Sequence, residues 1–130
     1  MTDHTVTSTQ GAYTIHVSAG GLLEVGSITQ SVAPSPRCCV AIDARIAPIH
    51  GPAIVGSLES AGYEVVVAPL VASESAKTMP AVESVHETMV EAGLDRSAPV
   101  IAVGGGIVGD VAGFAAATFL RGVPVIQVPT

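Results

Sequence analysis

The sequence predicts an α/β fold, built on a mainly parallel sheet with helices on both faces. Two observations support this prediction. Short apolar runs alternate with helix-like segments from residue 11 onwards, and two of these runs flank a glycine-rich turn at Gly104 to Gly106. Repeated strand–helix–strand units place parallel strands side by side, and the connecting helices cover the sheet.

The composition fits one globular domain. Of 130 residues, 48% are hydrophobic and 12% are charged, which is enough apolar material for a single core. The net charge is −6, and the five basic residues are scattered, so nucleic acid and anionic membranes are poor candidate partners. The adjacent Cys38 and Cys39 point to opposite faces of a strand. We therefore expect free thiols and a cytoplasmic protein.

The first elements are an extended segment and a helix. Residues 1–10 are polar and are predicted to form an N-terminal tail without a signal-peptide pattern, so the domain is assigned to residues 11–130. Tyr13 to Val17 alternates in polarity and predicts a strand. Gly21 to Ala33 has a loose helical face that Pro34 closes.

The middle of the chain contains two strands around a helix. Cys38 to Ile42 is a continuous apolar run that ends in Asp43, as in a buried strand with an acid at its carboxyl end. Ile46 to Ala61 predicts a helix that Gly62 stops. Tyr63 to Val71 predicts the next strand.

The last third begins with a polar loop, Ala72 to Thr78, whose threonine is predicted to cap a helix. That helix has one apolar and one acidic face, and Gly93 ends it. The apolar positions are Val82, Val85 and Met89, and the acidic positions are Glu83, Glu87 and Glu91. At i, i+4 spacing these like charges repel, so we predict a solvated face. A strand, the glycine turn, a helix of small residues and a final strand complete the chain.

One segment is long enough to cross a bilayer. Between Pro99 and Leu120 the only charged residue is Asp110. An acid near a membrane centre costs about 3 kcal/mol on insertion scales, and the glycines weaken a spanning helix. A buried strand, turn and helix explain the same residues better.

The glycine turn is the main candidate for ligand binding. Gly104 to Gly109 matches G-x-G-x-x-G, in which residues without side chains let backbone N–H groups approach a pyrophosphate at a helix N-terminus. The acid that dinucleotide sites of this pattern carry about twenty residues later is missing, since that position falls at Pro129 or Thr130. Spacing alone therefore leaves open a turn that is required only for packing.

Four charged residues lie where ligands of α/β sheets bind. Asp110 in the first turn of a helix either stabilises the helix dipole or accepts hydrogen bonds from a ligand. Asp43 at a strand end either caps the next turn or contacts a ligand. Glu74 and Lys77, just beyond another strand, form either a solvated pair or part of the same site.

The histidines do not suggest a metal site. His4, His16, His50 and His86 lack the spacing of metal ligands. His16 in a strand and His86 on an amphipathic helix are interpreted as structural residues.

With these residues in place, the chain resembles the 3-dehydroquinate synthase family. The run GGGIVGDVAGFAAATFLRGVPVIQVPT resembles the family signature. Weaker matches precede it in the same order, namely D-x-x-x-A-P at Asp43 to Pro48, E-x-x-K at Glu74 to Lys77, and EAGLDR at Glu91 to Arg96.

The resemblance implies a Rossmann-like domain that binds NAD, in an enzyme that also uses zinc or cobalt. It implies conversion of the phosphorylated sugar acid 3-deoxy-arabino-heptulosonate 7-phosphate to 3-dehydroquinate, with loss of phosphate. Carried over by position, the NAD contacts would come from Asp43, Glu74, Lys77, Gly105, Gly106, Gly109, Asp110 and Thr130. Arg121 matches an arginine that reaches the substrate phosphate in a neighbouring subunit, which implies a homodimer.

The chain departs from the family pattern in three ways. Ala72-Ser73 replace an Asp-Gly pair, and Arg45 replaces an asparagine that commonly follows the strand-end acid. An arginine there suggests a preference for NADP. The family's metal ligands, a glutamate and two histidines, would follow residue 130. We therefore expect an N-terminal portion, truncated before the helical metal-binding domain and inactive alone.

Other interpretations remain open at this stage. The chain could be part of a related sugar-phosphate cyclase or of a metal-dependent polyol dehydrogenase. It could also be a non-enzymatic nucleotide-binding or subunit-pairing module.

Overall fold

Four parallel strands form the central sheet in the computed structural model, which describes residues 2–130. Their order across the sheet is β4-β3-β5-β6, and every neighbouring pair runs parallel. The strands are β3 (Arg37–Asp43), β4 (Glu64–Leu70), β5 (Val100–Gly104) and β6 (Val125–Pro129). This arrangement confirms the predicted parallel sheet.

Helices cover both faces of this sheet. They are α1 (Val25–Val32), α2 (Ala47–Ser60), α3 (Met79–Glu91) and α4 (Gly106–Thr118). One buried cluster joins α1 and α2 to one sheet face, and a second joins α3 and α4 to the other. Cys38 lies in the first cluster and Cys39 in the second, both as free thiols. Burial raises the pKa of each thiol to about 12.

The N-terminal residues correct the sequence prediction. Instead of a tail, residues 2–8 form strand β1 (Thr2–Ser8), which pairs antiparallel with β2 (Gly11–Val17). Every residue of this hairpin is exposed. Since neither face is buried, no continuous apolar pattern marks β1, and only its threonines and Val6 favour extended structure.

The predicted helices are present with adjusted ends. The segment predicted as a helix over 21–33 begins with a single 3₁₀ turn, Gly21–Glu24, before α1. Thr78 caps α3 as predicted, because its hydroxyl accepts the N–H of Ala81. The apolar positions of α3 are buried and its glutamates are not. None of the described helices has the length and apolar character needed to span a membrane.

Candidate functional site

The strand order creates a crevice at the carboxyl edge of the sheet. Strands β3 and β5 lie side by side at its centre. After β3 the chain passes to α2 on one face, whereas after β5 it passes to α4 on the other. In open α/β sheets, ligands bind at this reversal point, outside the carboxyl ends of the two strands. The candidate residues Asp43 and Gly104 are the last residues of β3 and β5.

The glycine turn has the shape of a cradle. A Cβ placed on Gly104 would lie 2.9 Å from Val108 Cβ, and its φ of +154° is one that residues with side chains rarely adopt. A Cβ on Gly105 or Gly106 would meet no atom within 4 Å. The turn is therefore tight on its inner side and open on its outer side.

The open side of the turn lies at the N-terminus of α4, since Gly105 precedes this helix and Gly106 begins it. No side chain caps this helix, so its first N–H groups point outward without a side-chain acceptor. A helix of 13 residues also carries a partial positive charge at this end. Together these features favour an anionic ligand such as a pyrophosphate.

Gly109 lies against the last strand of the sheet. A Cβ there would lie 2.9 Å from Gln127 Oε1 on β6, and the Gln127 amide donates to the Gly109 carbonyl at 3.2 Å. This contact indicates that Gly109 allows α4 to pack on the sheet. Sequence reasoning did not single out Gln127, although an amide in an otherwise apolar strand was a signal.

An ion pair connects the loop after β4 to α4. Lys77 Nζ lies 2.6 Å from Asp110 Oδ2, and both side chains are substantially exposed. The hydrogen bond and charge of Asp110 raise the pKa of Lys77. The predicted partner of Lys77, Glu74, lies nearby in the 3₁₀ turn Glu74–Ala76 but does not form this pair. The loop thus reaches the glycine turn through Lys77.

A second ion pair lies at the end of β3. Asp43 is buried, and Arg45 donates from its backbone N and Nε to Oδ1 and from Nη2 to Oδ2. The Arg45 hydrogen bonds hold the pKa of Asp43 below its ordinary value. Arg45 also donates to the carbonyl of Ala72 at 3.4 Å, which ties this corner to the loop that carries Lys77.

Two further predicted residues lie at opposite edges of the sheet. Thr130 follows β6 and donates its backbone N–H to the carbonyl of Gly104 at 3.1 Å, so it borders the glycine turn. Arg121 lies between α4 and β6, and therefore at the amino edge of the sheet. Within one chain, the structure does not bring Arg121 to the crevice.

The metal implied by the resemblance does not fit this portion of the chain. Across residues 2–130, no three His, Cys, Asp or Glu side chains are grouped so that they could hold a metal ion. His86 is interpreted above as structural. Its Nε2 lies 2.9 Å from the carbonyl oxygen of Ala115, and its ring packs on Phe119. It therefore joins α3 to α4.

Comparisons with known proteins identify a family for this chain. A family model described as 3-dehydroquinate synthase N-terminal matches residues 67–130. The 3-dehydroquinate synthase of Symbiobacterium thermophilum is 41% identical over 119 residues, which is 91% of this chain and 33% of that protein. That of Streptococcus sanguinis is 39% identical over 118 residues, with the same coverage. The chain spans about a third of the length of the curated relatives it matches.

Two solved structures show the same fold. A crystal structure of 2-deoxy-scyllo-inosose synthase with carbaglucose-6-phosphate, NAD⁺ and Co²⁺ matches 99% of this chain and 35% of its own, with a TM-score of 0.86. At 23% identity this likeness concerns the fold alone. The 2-epi-5-epi-valiolone synthase of Streptomyces hygroscopicus, with NAD⁺ and Zn²⁺ bound, is 31% identical, with a TM-score of 0.71 over 83% of this chain and 30% of its own.

The fold, with its glycine turn at the reversal point, is thus the Rossmann-like domain found in sugar-phosphate cyclases. Within that class the chain belongs to the 3-dehydroquinate synthase family, and it corresponds to the N-terminal portion of those enzymes.

Proposed function

We propose that this chain provides the NAD-binding portion of a 3-dehydroquinate synthase. The observation that carries the proposal is the open glycine turn at the reversal point of the sheet, flanked by Asp43 and by the Lys77–Asp110 pair. Relatives that are 41% and 39% identical over almost the whole chain are 3-dehydroquinate synthases. The activity of the complete enzyme is therefore part of the proposal.

The proposed pose follows from the geometry of the cradle. The pyrophosphate would lie over Gly105 and Gly106, where no protein atom occupies the Cβ positions and the N-terminus of α4 attracts negative charge. Asp43 and Asp110 would accept hydrogen bonds from ribose or substrate hydroxyls. Glu74 and Thr130, which follow the carboxyl ends of β4 and β6, would contact the same ligand. Lys77 would move its positive charge from Asp110 towards the ligand phosphates. When bound, NAD would accept a hydride from a substrate hydroxyl and later return it.

The substrate site is proposed to need a second copy of the chain. Arg121 is exposed at the amino edge of the sheet, whereas the cradle is at the carboxyl edge. In a homodimer Arg121 would reach the phosphate of 3-deoxy-arabino-heptulosonate 7-phosphate bound to the neighbouring subunit. The product would be 3-dehydroquinate, an intermediate of the shikimate pathway to aromatic amino acids. A cytoplasmic location accords with the two buried free thiols.

The cradle can be tested by filling it. Gly106→Leu places a side chain in open space, so the fold should tolerate it, whereas the pyrophosphate should lose its position. In calorimetric titrations with NAD, we expect the unchanged chain to bind and Gly106→Leu to bind at least about tenfold more weakly.

A matched control separates blocked binding from altered folding. Gly56 lies on an exposed part of α2, and a Cβ there would likewise meet no atom within 4 Å. Gly56→Leu should therefore leave NAD affinity unchanged. Thermal unfolding of both variants checks that each is folded. Undetectable binding to the unchanged chain, or equal binding by Gly106→Leu, would contradict the proposed cradle.

A further inference from the structure

Gln127 lies where strand β6 passes beside the first turns of α4. Its neighbours Ile126 and Val128 pack on the buried cluster that joins α1 and α2 to the sheet, so the Gln127 side chain points to the other face. There its Nε2 donates to the carbonyl of Gly109 at 3.2 Å. Gln127 thus contacts the helix that begins at the glycine turn, without lying in the turn itself.

Two glycines of α4 leave room for this amide. Gly109 and Gly113 are four positions apart, so they lie on the same face of the helix. A Cβ on Gly109 would lie 2.9 Å from Gln127 Oε1, whereas one on Gly113 would lie 3.5 Å from Nε2. Position 109 must therefore be glycine if the amide is to keep its place, while position 113 has room for a methyl group.

The stability of the fold does not account for this arrangement. Glycine within a helix is less favourable than alanine. The hydrogen bond that Gly109 permits is exposed, and water competes for both of its groups, so its net contribution to folding is small. The glycine and the amide therefore nearly offset each other in the free energy of unfolding. What the contact adds is a direction, because it fixes one side of the helix to β6.

The contact reaches the cradle through the backbone of Gly109. The N–H of Gly109 donates to the carbonyl of Gly105 at 3.0 Å, which closes the first turn of α4 on the cradle. The apolar side chains beneath α4 pack without directional preference. Among the described residues, the first turn has two directional side-chain contacts, the Lys77–Asp110 ion pair and the Gln127 amide. In the proposed pose Lys77 turns to the ligand phosphates, and the Gln127 contact then remains.

We propose that Gln127 is a positioning residue for the NAD cradle. By holding Gly109 against β6, it keeps the N-terminal N–H groups of α4 aimed at the ligand pyrophosphate while Lys77 leaves Asp110. This inference rests on the proposed function, because it assumes that a dinucleotide lies over the glycine turn. It goes further by assigning a role in binding to a residue outside the crevice.

Calorimetric titration of two variants with NAD tests this role. Gln127→Met keeps the length of the side chain and removes its donor. Gly109→Ala keeps the amide but displaces it, since the added Cβ would meet the flexible end of Gln127. We expect each variant to bind NAD about five- to tenfold more weakly, as for the loss of one hydrogen bond. The urea midpoint should stay close to that of the unchanged chain for Gln127→Met. It should not fall for Gly109→Ala, because alanine favours the helix. A merely structural role would instead lower the midpoint and leave NAD affinity unchanged.

Gly113→Ala is the matched control, because its Cβ would lie at an ordinary contact distance of 3.5 Å and leave the amide in place. Its NAD affinity should be unchanged. The double variant of Gln127→Met and Gly109→Ala should bind no more weakly than the weaker single variant, since both changes break the same contact. Gly109→Ala also gives a second reading if Gln127→Met folds poorly.

The outcomes separate this inference from the proposed function. Unchanged NAD affinity in Gln127→Met, or additive losses in the double variant, would overturn this inference alone. Failure of the unchanged chain to bind NAD would overturn the proposed function as well.

Discussion

Replacement of Gly104 by alanine tests whether the turn is as tight as the structure indicates. The added Cβ would lie 2.9 Å from both Cβ and Cγ2 of Val108 and 3.4 Å from Cβ of Asp43. The Val108 Cβ is fixed to the backbone of α4 and cannot rotate away, so the start of the helix must shift. The φ of +154° adds backbone strain for any residue that has a side chain.

The size of the effect follows from these two terms. Overpacking costs about 1–3 kcal/mol, and a strained backbone conformation costs another ~1–3 kcal/mol. We therefore expect Gly104→Ala to lower the free energy of unfolding by about 2–6 kcal/mol. A domain of this size has a total stability of about 5–15 kcal/mol, so the loss is a large fraction of it. Since the shift also displaces the cradle, NAD affinity should fall in parallel.

Urea unfolding followed by circular dichroism measures the loss. With a slope of about 1–3 kcal/mol per molar urea, a loss of 3 kcal/mol lowers the midpoint by about 1–3 M. Gly106→Ala is the matched control, because its Cβ meets no atom within 4 Å and alanine favours a helix by up to about 1 kcal/mol. A midpoint for Gly104→Ala within about 0.3 M of the unchanged chain would refute the reasoning.

Three further predictions concern packing, a buried hydrogen bond and acid stability. Gly26→Ala would bring a Cβ into collision with the backbone carbonyl of Ser57 in α2, so it should destabilise the chain by about 3 kcal/mol or more. Gly56→Ala, on the exposed side of α2, is the control and should stabilise the chain slightly. The urea midpoint measures both effects. Tyr63→Phe removes a buried hydrogen bond of 2.7 Å from the tyrosine hydroxyl to the carbonyl of Ala33. In the same assay it should lower the free energy of unfolding by about 1–3 kcal/mol. A loss near zero would argue against that bond. Because the pKa of Asp43 is held below 3.8, its ion pair should stabilise the fold above that pH and lose this effect as pH falls through the lowered pKa. Asp43→Asn should therefore flatten the acid limb of the stability–pH curve, and an unchanged limb would contradict the ion pair.

The centre of the sheet was predictable because β3 and β5 are buried on both faces. The cores of β3 and β5 are continuous apolar runs, which the alternation with helices identifies as parallel strands. The boundaries of α2, α3 and β4 differ from the predicted ones by only one or two residues, since Thr78 and the glycines at 62 and 93 mark helix ends chemically.

The N-terminal hairpin was not predictable by the same means. Strand β1 has no buried face, so its side chains carry no hydrophobic pattern of period two. Its pairing with β2 depends on a two-residue turn at Thr9 and Gln10, and neither residue is a strong turn former.

The sequence named most of the residues that lie at this edge of the sheet, but it did not predict which of them pair with one another. Lys77 and Asp110 are 33 positions apart, and only the fold brings the loop after β4 to the start of α4. The sequence suggested Glu74 as a partner of Lys77, because the two residues are close along the chain and contacts between distant residues cannot be recognised from one sequence. Gly109 matched a motif, but the structure places it against Gln127, a residue that becomes its neighbour only when β6 adds to the sheet.

The most direct test of the central claim is an amide chemical-shift titration of the isotope-labelled chain with NAD. We expect saturable shifts at the backbone amides of Gly105 and Gly106 and of the first turn of α4, together with shifts at the amides of Asp43, Lys77 and Asp110. The hairpin and the exposed face of α3 should not respond. Saturable shifts confined to other surfaces, or no shifts at millimolar NAD, would contradict the claim that this domain is a dinucleotide cradle.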